Sequence, residues 1–260
     1  MVNEKNILHL SSIFKLHHID TMIFLLFHKK KIILTLLVVL AMSLLLSAQN
    51  AEDYKIFTDA AQGYSVLYRG ELSIYSRSKK PNDGSTSFAF SANFEKGDII
   101  FCGKQYLDVI LNLNAHTDEL CVIDPVIGLN IIVNKNFVDS FSMGSRQFVH
   151  FKEVDNPILS NGYYEVLYSG GFKLYKKNQK QYFENTKDGL YIKKGFTLVE
   201  NFYLCKNDKW YRIASKRDLK KLYVGQAKII DQLQRKRELG FSISTKERAF
   251  VEIVTYLDQP

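Results

Sequence analysis

Four potential oxygen or nitrogen donors, His116, Asp118, Glu119 and Asp124, stand close together in the sequence and form its densest group of candidate metal ligands. Such a turn can hold a hard cation, which is bound through carboxylates and carbonyls. The spacing matches no calcium loop, however, and polar side chains between strands are also what any turn requires. A second combination is a nucleophilic Cys–His pair, drawn from Cys102 or Cys121 with His116 or His150. Nothing beside either cysteine, such as a helix N-terminus, would lower a thiol pKa. There is no serine nucleophile elbow, phosphate loop, dinucleotide fingerprint or zinc-helix motif. The sequence therefore predicts no metal and no cofactor, and it nominates no catalytic residue.

Charge is the stronger signal. Residues 49–160 carry 10 Lys/Arg and 14 Asp/Glu, a net of −4, whereas residues 161–260 carry 20 and 11, a net of +9. The cations are clustered at Lys176, Lys177 and Lys180, at Lys193 and Lys194, at Lys216, Arg217, Lys220 and Lys221, and at Arg235, Lys236 and Arg237. Tyr182, Tyr191, Trp210, Tyr211 and Tyr223 lie among them. Basic clusters with aromatics can bind nucleic acid. They serve equally to keep a solvated face soluble, or to meet an anionic partner. Lys216, Arg217, Lys220 and Lys221 are the candidate contact with such a partner.

The start of the chain decides which anions are within reach. His28-Lys29-Lys30-Lys31 is a basic block, residues 32–46 (IILTLLVVLAMSLLL) are an apolar run, and Ser47-Ala48 supplies small residues before Gln49. That order is a secretory signal peptide over residues 1–48, cleaved after Ala48. Met22 is an alternative start. The apolar run is shorter than the roughly 20 residues of a spanning helix, and no later segment is long and apolar enough to cross a bilayer as a helix. No cysteine follows the run to carry a lipid. Export makes nucleic acid a poor candidate and an envelope polyanion or an acidic protein face a better one, in the periplasm or at the outer membrane. Three cysteines, Cys102, Cys121 and Cys205, cannot form a disulfide framework. One bridge, such as Cys102 to Cys121, stays open, as does the burial of all three as small hydrophobes.

The elements that must carry these residues are mainly strands. From Tyr54 to about Ile213, short alternating runs are separated by turn residues: 85–94, 98–102, 106–113, 120–123, 129–133, 137–141 and 146–151. Lys206-Asn207-Asp208-Lys209 marks a hairpin turn between 202–205 and 210–213. This pattern indicates an antiparallel sheet, sandwich or partial barrel. Residues 214–260 then read as two or three helices. Ser215 with Asp218 starts the first, 216–223. Residues 226–239 place Ile229, Ile230 and Leu233 on one face, with a stop at Gly240. Ser244 and Glu247 form a capping-box pattern before Phe250, Ile253, Val254 and Leu257 at helical spacing. The expected class is α+β, a β-rich body over 49–213 with a C-terminal helical segment packed on it.

Within the body, residues 64–75 (YSVLYRGELSIY) align without a gap to residues 164–175 (YEVLYSGGFKLY). The match predicts one backbone conformation for both copies, with Gly70 and Gly170 in equivalent bends, and two related β-lobes over 54–151 and 160–213. Coincidence between two strands of similar composition is the alternative.

The segments FCGKQYLDVILNLNAHTDEL, FVDSFSMGSRQFVHF, NGYYEVLYSGGFKLYKK and WYRIASKRDLKKLY, in that order, resemble a group of uncharacterised exported proteins of Gram-negative bacteria. The resemblance implies export and β-richness and contributes no site residue. The expected function is that of a non-enzymatic envelope protein that binds or scaffolds, with an exported hydrolase of unfamiliar type as the alternative. Convergent carboxylates in a pocket, or a Cys–His contact, would favour the hydrolase.

Overall fold

The computed structural model describes Thr35 and residues 66–73, 79–152, 156–187 and 191–259. Apart from Thr35 the expected leader lies outside the described residues, as do its cleavage site, Met22, and Tyr64 and Tyr75 of the repeat. Among the described residues no helix is long and apolar enough to cross a membrane.

Short runs rich in Val, Ile, Leu and Phe suit a half-buried pleated surface, and they build a single antiparallel sheet. Its strands are β1 (Glu71–Leu72), β2 (Glu95–Phe101), β3 (Lys104–Asn114), β4 (Glu119–Ile123), β5 (Asn130–Ile132), β6 (Val138–Met143), β7 (Arg146–Phe151), β8 (Gly162–Ser169), β9 (Lys173–Lys187), β10 (Tyr191–Lys206) and β11 (Lys209–Ile213). They lie side by side in the order β1-β5-β4-β3-β2-β6-β7-β8-β9-β10-β11. From β6 onward the chain is a plain meander. The β10–β11 turn falls at the expected four residues, with Asn207 and Asp208 at φ 51° and 58°. Two successive positive φ values are what a tight hairpin with the right twist needs, and Asn and Asp tolerate them better than most residues. Three helices follow: α1 (Lys216–Leu222), α2 (Ala227–Lys236) and α3 (Lys246–Leu257). The class is α+β.

Two large cores lie along the sheet. The first joins Ile99, Leu111, Leu120, Val122, Phe141 and Phe148 from β2 to β7 with Leu67 and Ala89 from the segment before β2. The buried Asn112 side chain holds that segment down, donating to the carbonyls of Ser91 and Asn93 at 2.9 Å each. Residues 85–94 accordingly do not form the strand their alternation suggests. They make bends with one bridge, Phe88 to Asn114, because their carbonyls are engaged by a side chain rather than by a neighbouring strand.

In the second core, α1–α3 cover Leu174, Phe202, Leu204 and Ile213 with Leu219, Ile230, Phe250, Ile253 and Val254. Helix α3 is fastened at both ends. Near its start Lys176 Nζ donates to Glu247 Oε2 at 2.6 Å. Past its end the Asp258 carboxylate accepts from Tyr168 Oη and Gly171 N, both at 2.7 Å, and from Phe172 N at 3.1 Å. The capping box expected of Ser244 and Glu247 is not made. Thr245 is the N-cap residue, and the Glu247 carboxylate is drawn to a buried lysine instead. On the other face of the sheet, Tyr164, Tyr175 and Tyr203 pack with Phe151 and Trp210.

The repeat does not produce a repeated backbone. Val66–Tyr68 form a 3-10 turn, whereas Val166, Leu167 and Tyr168 lie inside β8. The second copy has a strand on each side, β7 and β9, to accept its ladder. The first has Leu67 plugged into the first core and only the two-residue β1 beside β5. Neighbouring strands, not the pattern, decided the outcome. The sheet also runs unbroken across the expected lobe boundary, through the β7–β8 pairs from Phe148–Glu165 to Phe151–Gly162.

Candidate functional site

The sheet's longest hairpin positions most of the chemistry. Strand β8 pairs with β9 only as far as Lys176, and β11 with β10 only as far as Phe202. Beyond those points β9 and β10 continue as a two-stranded arm with no strand on either outer edge. An open edge presents unpaired backbone groups and invites unwanted pairing. Here backbone and side-chain groups of residues 82, 85, 115 and 116 cover part of it. On the β9 side Lys180 N donates to the carbonyl of Ala115 at 3.0 Å, and its own carbonyl meets His116 Nδ1 at 2.9 Å. On the β10 side Asn82 N donates to Lys194 O at 2.9 Å, Asn82 Oδ1 accepts from Lys194 N at 2.7 Å, and Asn82 Nδ2 donates to Ile192 O at 2.9 Å. Ser85 Oγ accepts from Phe196 N at 2.7 Å. Gly195 is required between them, since a Cβ there would collide with the Asp83 carboxylate.

A cleft of about 730 Å³ lies where the arm meets residues 79–87 and the β3–β4 turn. Its lining includes Lys79, Lys80, Ser87, Asn114, His116 and Glu119. Lys79 Nζ is 3.1 Å from His116 Nε2. An ammonium only donates, so Nε2 accepts from Lys79 and Nδ1 donates to Lys180 O. Thr117 Oγ1 donates to Glu119 Oε2 at 2.6 Å.

The expected ligand cluster does not assemble. His116 faces the cleft. Asp118 turns away to Lys135 at 2.7 Å and Lys177 at 3.4 Å. Asp124 caps its own turn, accepting from Val126 N and Ile127 N. Among the described residues no group of three or more His, Cys, Asp or Glu is placed to hold a metal ion. The imidazoles are committed elsewhere than to a thiol: the ring nitrogens of His150 meet Val138 O and Asn161 Oδ1. All three cysteines are free thiols. Cys121 is buried, which pushes its pKa up to about 11. Cys102 is not buried, as its apolar run suggested, but exposed on the β2–β3 turn at φ 52°.

The basic clusters divide sharply between structural and exposed. Lys176 is 3% exposed and lies 2.9 Å from Glu165, 3.7 Å from Glu200 and 2.6 Å from Glu247. Burial opposes its charge, but these carboxylates outweigh burial and raise its pKa. Its neighbour Lys177 points to the other face, donating to Ser160 Oγ and Asn161 O at 3.0 Å each. Lys193 and Lys194 pair with Asp83 and Glu184. In the nominated cluster, Lys216 and Lys220 both grip Asp231 of α2, at 3.1 and 2.6 Å. Hydrogen bonds from Lys220 and then Lys216 hold the Asp231 carboxyl below its ordinary range. Half of that cluster therefore ties α1 to α2. Arg217 and Lys221, one turn apart on α1, are exposed, as are Lys228, Arg235 and Lys236 on α2, with Glu238 just beyond. Of the aromatics read among the cations, Tyr223 is in the second core and Trp210 in the aromatic cluster.

Sequence reasoning missed the three carboxylates around Lys176, which come from β8, β10 and α3. They converge on a buried lysine, with Arg146 also beside Glu165 at 3.5 Å, rather than on an open reaction site. It also missed the cleft, whose residues are far apart in the chain and share no motif. No protein-family model, curated protein or solved structure matches the chain.

Proposed function

We propose that this is an exported, non-enzymatic binding protein of the bacterial envelope, held to an anionic envelope component by the α1–α2 ridge. One observation carries the reading. Lys216 and Lys220 are consumed by Asp231, while Arg217, Lys221, Lys228, Arg235 and Lys236 stay exposed on the same two helices. A cation near an anionic membrane surface contributes about 1 kcal/mol, so such a ridge suffices for salt-sensitive attachment without a deep pocket.

The test uses vesicles with and without anionic phospholipid. The protein should sediment with the anionic vesicles only, and less so at high salt, because the Debye length shrinks from about 10 Å at 0.1 M to about 3 Å at 1 M. Reversing two charges, Arg217→Glu with Lys221→Glu, should weaken binding by about 30-fold or more, since each lost contact is about 1 kcal/mol. Lys216 and Lys220 are left intact, so the α1–α2 tie survives and the melting temperature should hold. Equal sedimentation of both forms, insensitive to salt, refutes the reading. Export is checked separately. Protein recovered from the envelope should begin at or near Gln49 by intact mass, and retention of residues 32–46 would count against cleavage.

A further inference from the structure

We infer that the cleft at the foot of the β9–β10 arm is a binding site for an acidic sugar, a saccharide unit bearing a carboxylate or phosphate. At about 730 Å³ it falls within the roughly 300–1,000 Å³ typical of small-molecule sites. The sign of the ligand follows from the charges in its lining. Lys79 and Lys80 contribute two ammonium groups, and Glu119 one carboxylate that already accepts the Thr117 hydroxyl. Lys79 gives one N–H to His116 Nε2 and keeps two, since an ammonium has three.

The remaining lining sets hydroxyl and amide side chains among the apolar Pro81, Ala92, Ile132 and Phe196, a mixture that suits the hydroxylated rim and carbon faces of a sugar. Ser73, Thr86 and Ser87 offer hydroxyls, which both donate and accept, and Asn114 offers an amide. Its Oδ1 already accepts from the His116 and Thr117 amides, which fixes the side chain's orientation and leaves its NH2 as the donor. A sugar ring presents donors and acceptors around its rim and is matched by this mixture.

Two other ligand classes fit poorly. An extended peptide binds by adding a strand to an open edge, but the edge groups that face the cleft, those of Lys180, Ile192, Lys194 and Phe196, are already taken by Ala115, His116, Asn82 and Ser85. A nucleobase needs an aromatic face to stack on. The ring in this wall, Phe196, is 8% exposed and packs against His116 and Tyr182.

The site is separate from the α1–α2 ridge, so the two readings fail independently. The experiment titrates the full chain by calorimetry with a galacturonic-acid trimer, a phosphate-bearing maltotriose, neutral maltotriose and inorganic phosphate. At least one acidic sugar should bind tenfold or more tightly than both the neutral sugar and inorganic phosphate. The tighter of the two identifies which anion is read. Lys79→Ala with Lys80→Ala should cost at least tenfold with an unchanged melting curve, and Lys79→Arg with Lys80→Arg should retain most of the affinity. Arg217→Glu with Lys221→Glu should leave binding unaltered. Neutral maltotriose or phosphate binding as tightly as the acidic sugars, or no loss in the double alanine variant, overturns the assignment.

Discussion

The two ends of the β9–β10 hairpin are held by different physics. At its root, Leu174, Phe202 and Leu204 lie beneath the helices and Tyr175 and Tyr203 pack on the opposite face. Lys176 and Lys177, adjacent on β9, are both buried there and paired on opposite faces. Farther out the same strands expose Lys193, Glu184 and Tyr191. Pairing continues there to Lys187 and Tyr191, with residues 82, 85, 115 and 116 covering part of the outer edges. Burial makes the root part of a cooperative core. The outer stretch rests on a few hydrogen bonds, each with a net value of about 0.5–1.5 kcal/mol, so it should open locally while the root stays shut.

The largest effect should come from the root. Lys176→Ala takes the central cation away from Glu165, 5% exposed, Glu200 and Glu247, and leaves Glu165 only Arg146 at 3.5 Å and the Asn178 amide at 3.0 Å. Removing one partner of a buried ion pair costs about 3–5 kcal/mol, which chemical denaturation would register as a lower midpoint at similar slope. A loss under about 1 kcal/mol would mean the root tolerates open charge and is no tighter than the arm.

Raising the pH probes the same network more gently. The Lys176 pKa is raised in the folded state by Glu165 and Glu247 against burial. Its stabilisation is therefore fully present below the unfolded lysine value, about 10.4, and is lost as pH climbs through the higher folded value. The melting temperature should fall more steeply above about pH 10.4 in the wild type than in Lys176→Met, since the variant has no such proton to lose. Parallel curves would remove Lys176 from the account.

At the outer stretch the expected change is smallest and most local. Asn82→Ala removes the acceptor of Lys194 N and the donor to Ile192 O. Amide exchange at Lys194 should accelerate about tenfold, for a local loss of about 1–1.5 kcal/mol, while amides of Leu174 and Leu204 keep their rates. Equal acceleration at the root would show that the hairpin opens as one unit and would erase the contrast.

The same contrast explains what could be read from sequence. Strand β7 was legible to the residue, and so were the turn at Asn207-Asp208 and the pairing of Ser215 with Asp218, because each depends on neighbours in the chain. The arm was not. Residues 180–187 and 191–198 mix Lys, Glu, Asn and Thr with few apolar side chains, and part of their outer edges is met by partners near residues 82 and 116. Residues 66–68 and 166–168 carry the same Val-Leu-Tyr and fold differently, so strand formation there depended on available neighbours. For the candidate sites, composition revealed the cations but not their assignments. Lys216 and Arg217 are adjacent, yet one is bound to Asp231 and the other is exposed. Only the helix packing separates them.

The clasp on the arm also has a consequence in time. Asn82 and Lys194 are 112 residues apart. A chain made from its N-terminus at about 5–20 residues per second leaves Asn82 waiting about 6–22 s before Lys194 exists. Contacts this distant in sequence close late, because the entropy of bringing the ends together must be met before the bonds reward it. Through that interval Asn82 and Ser85 lack the β10 groups they bind, while Ser87 can already meet His116 N. The cleft, whose wall includes Phe196 of β10, is therefore completed only once that strand has been made.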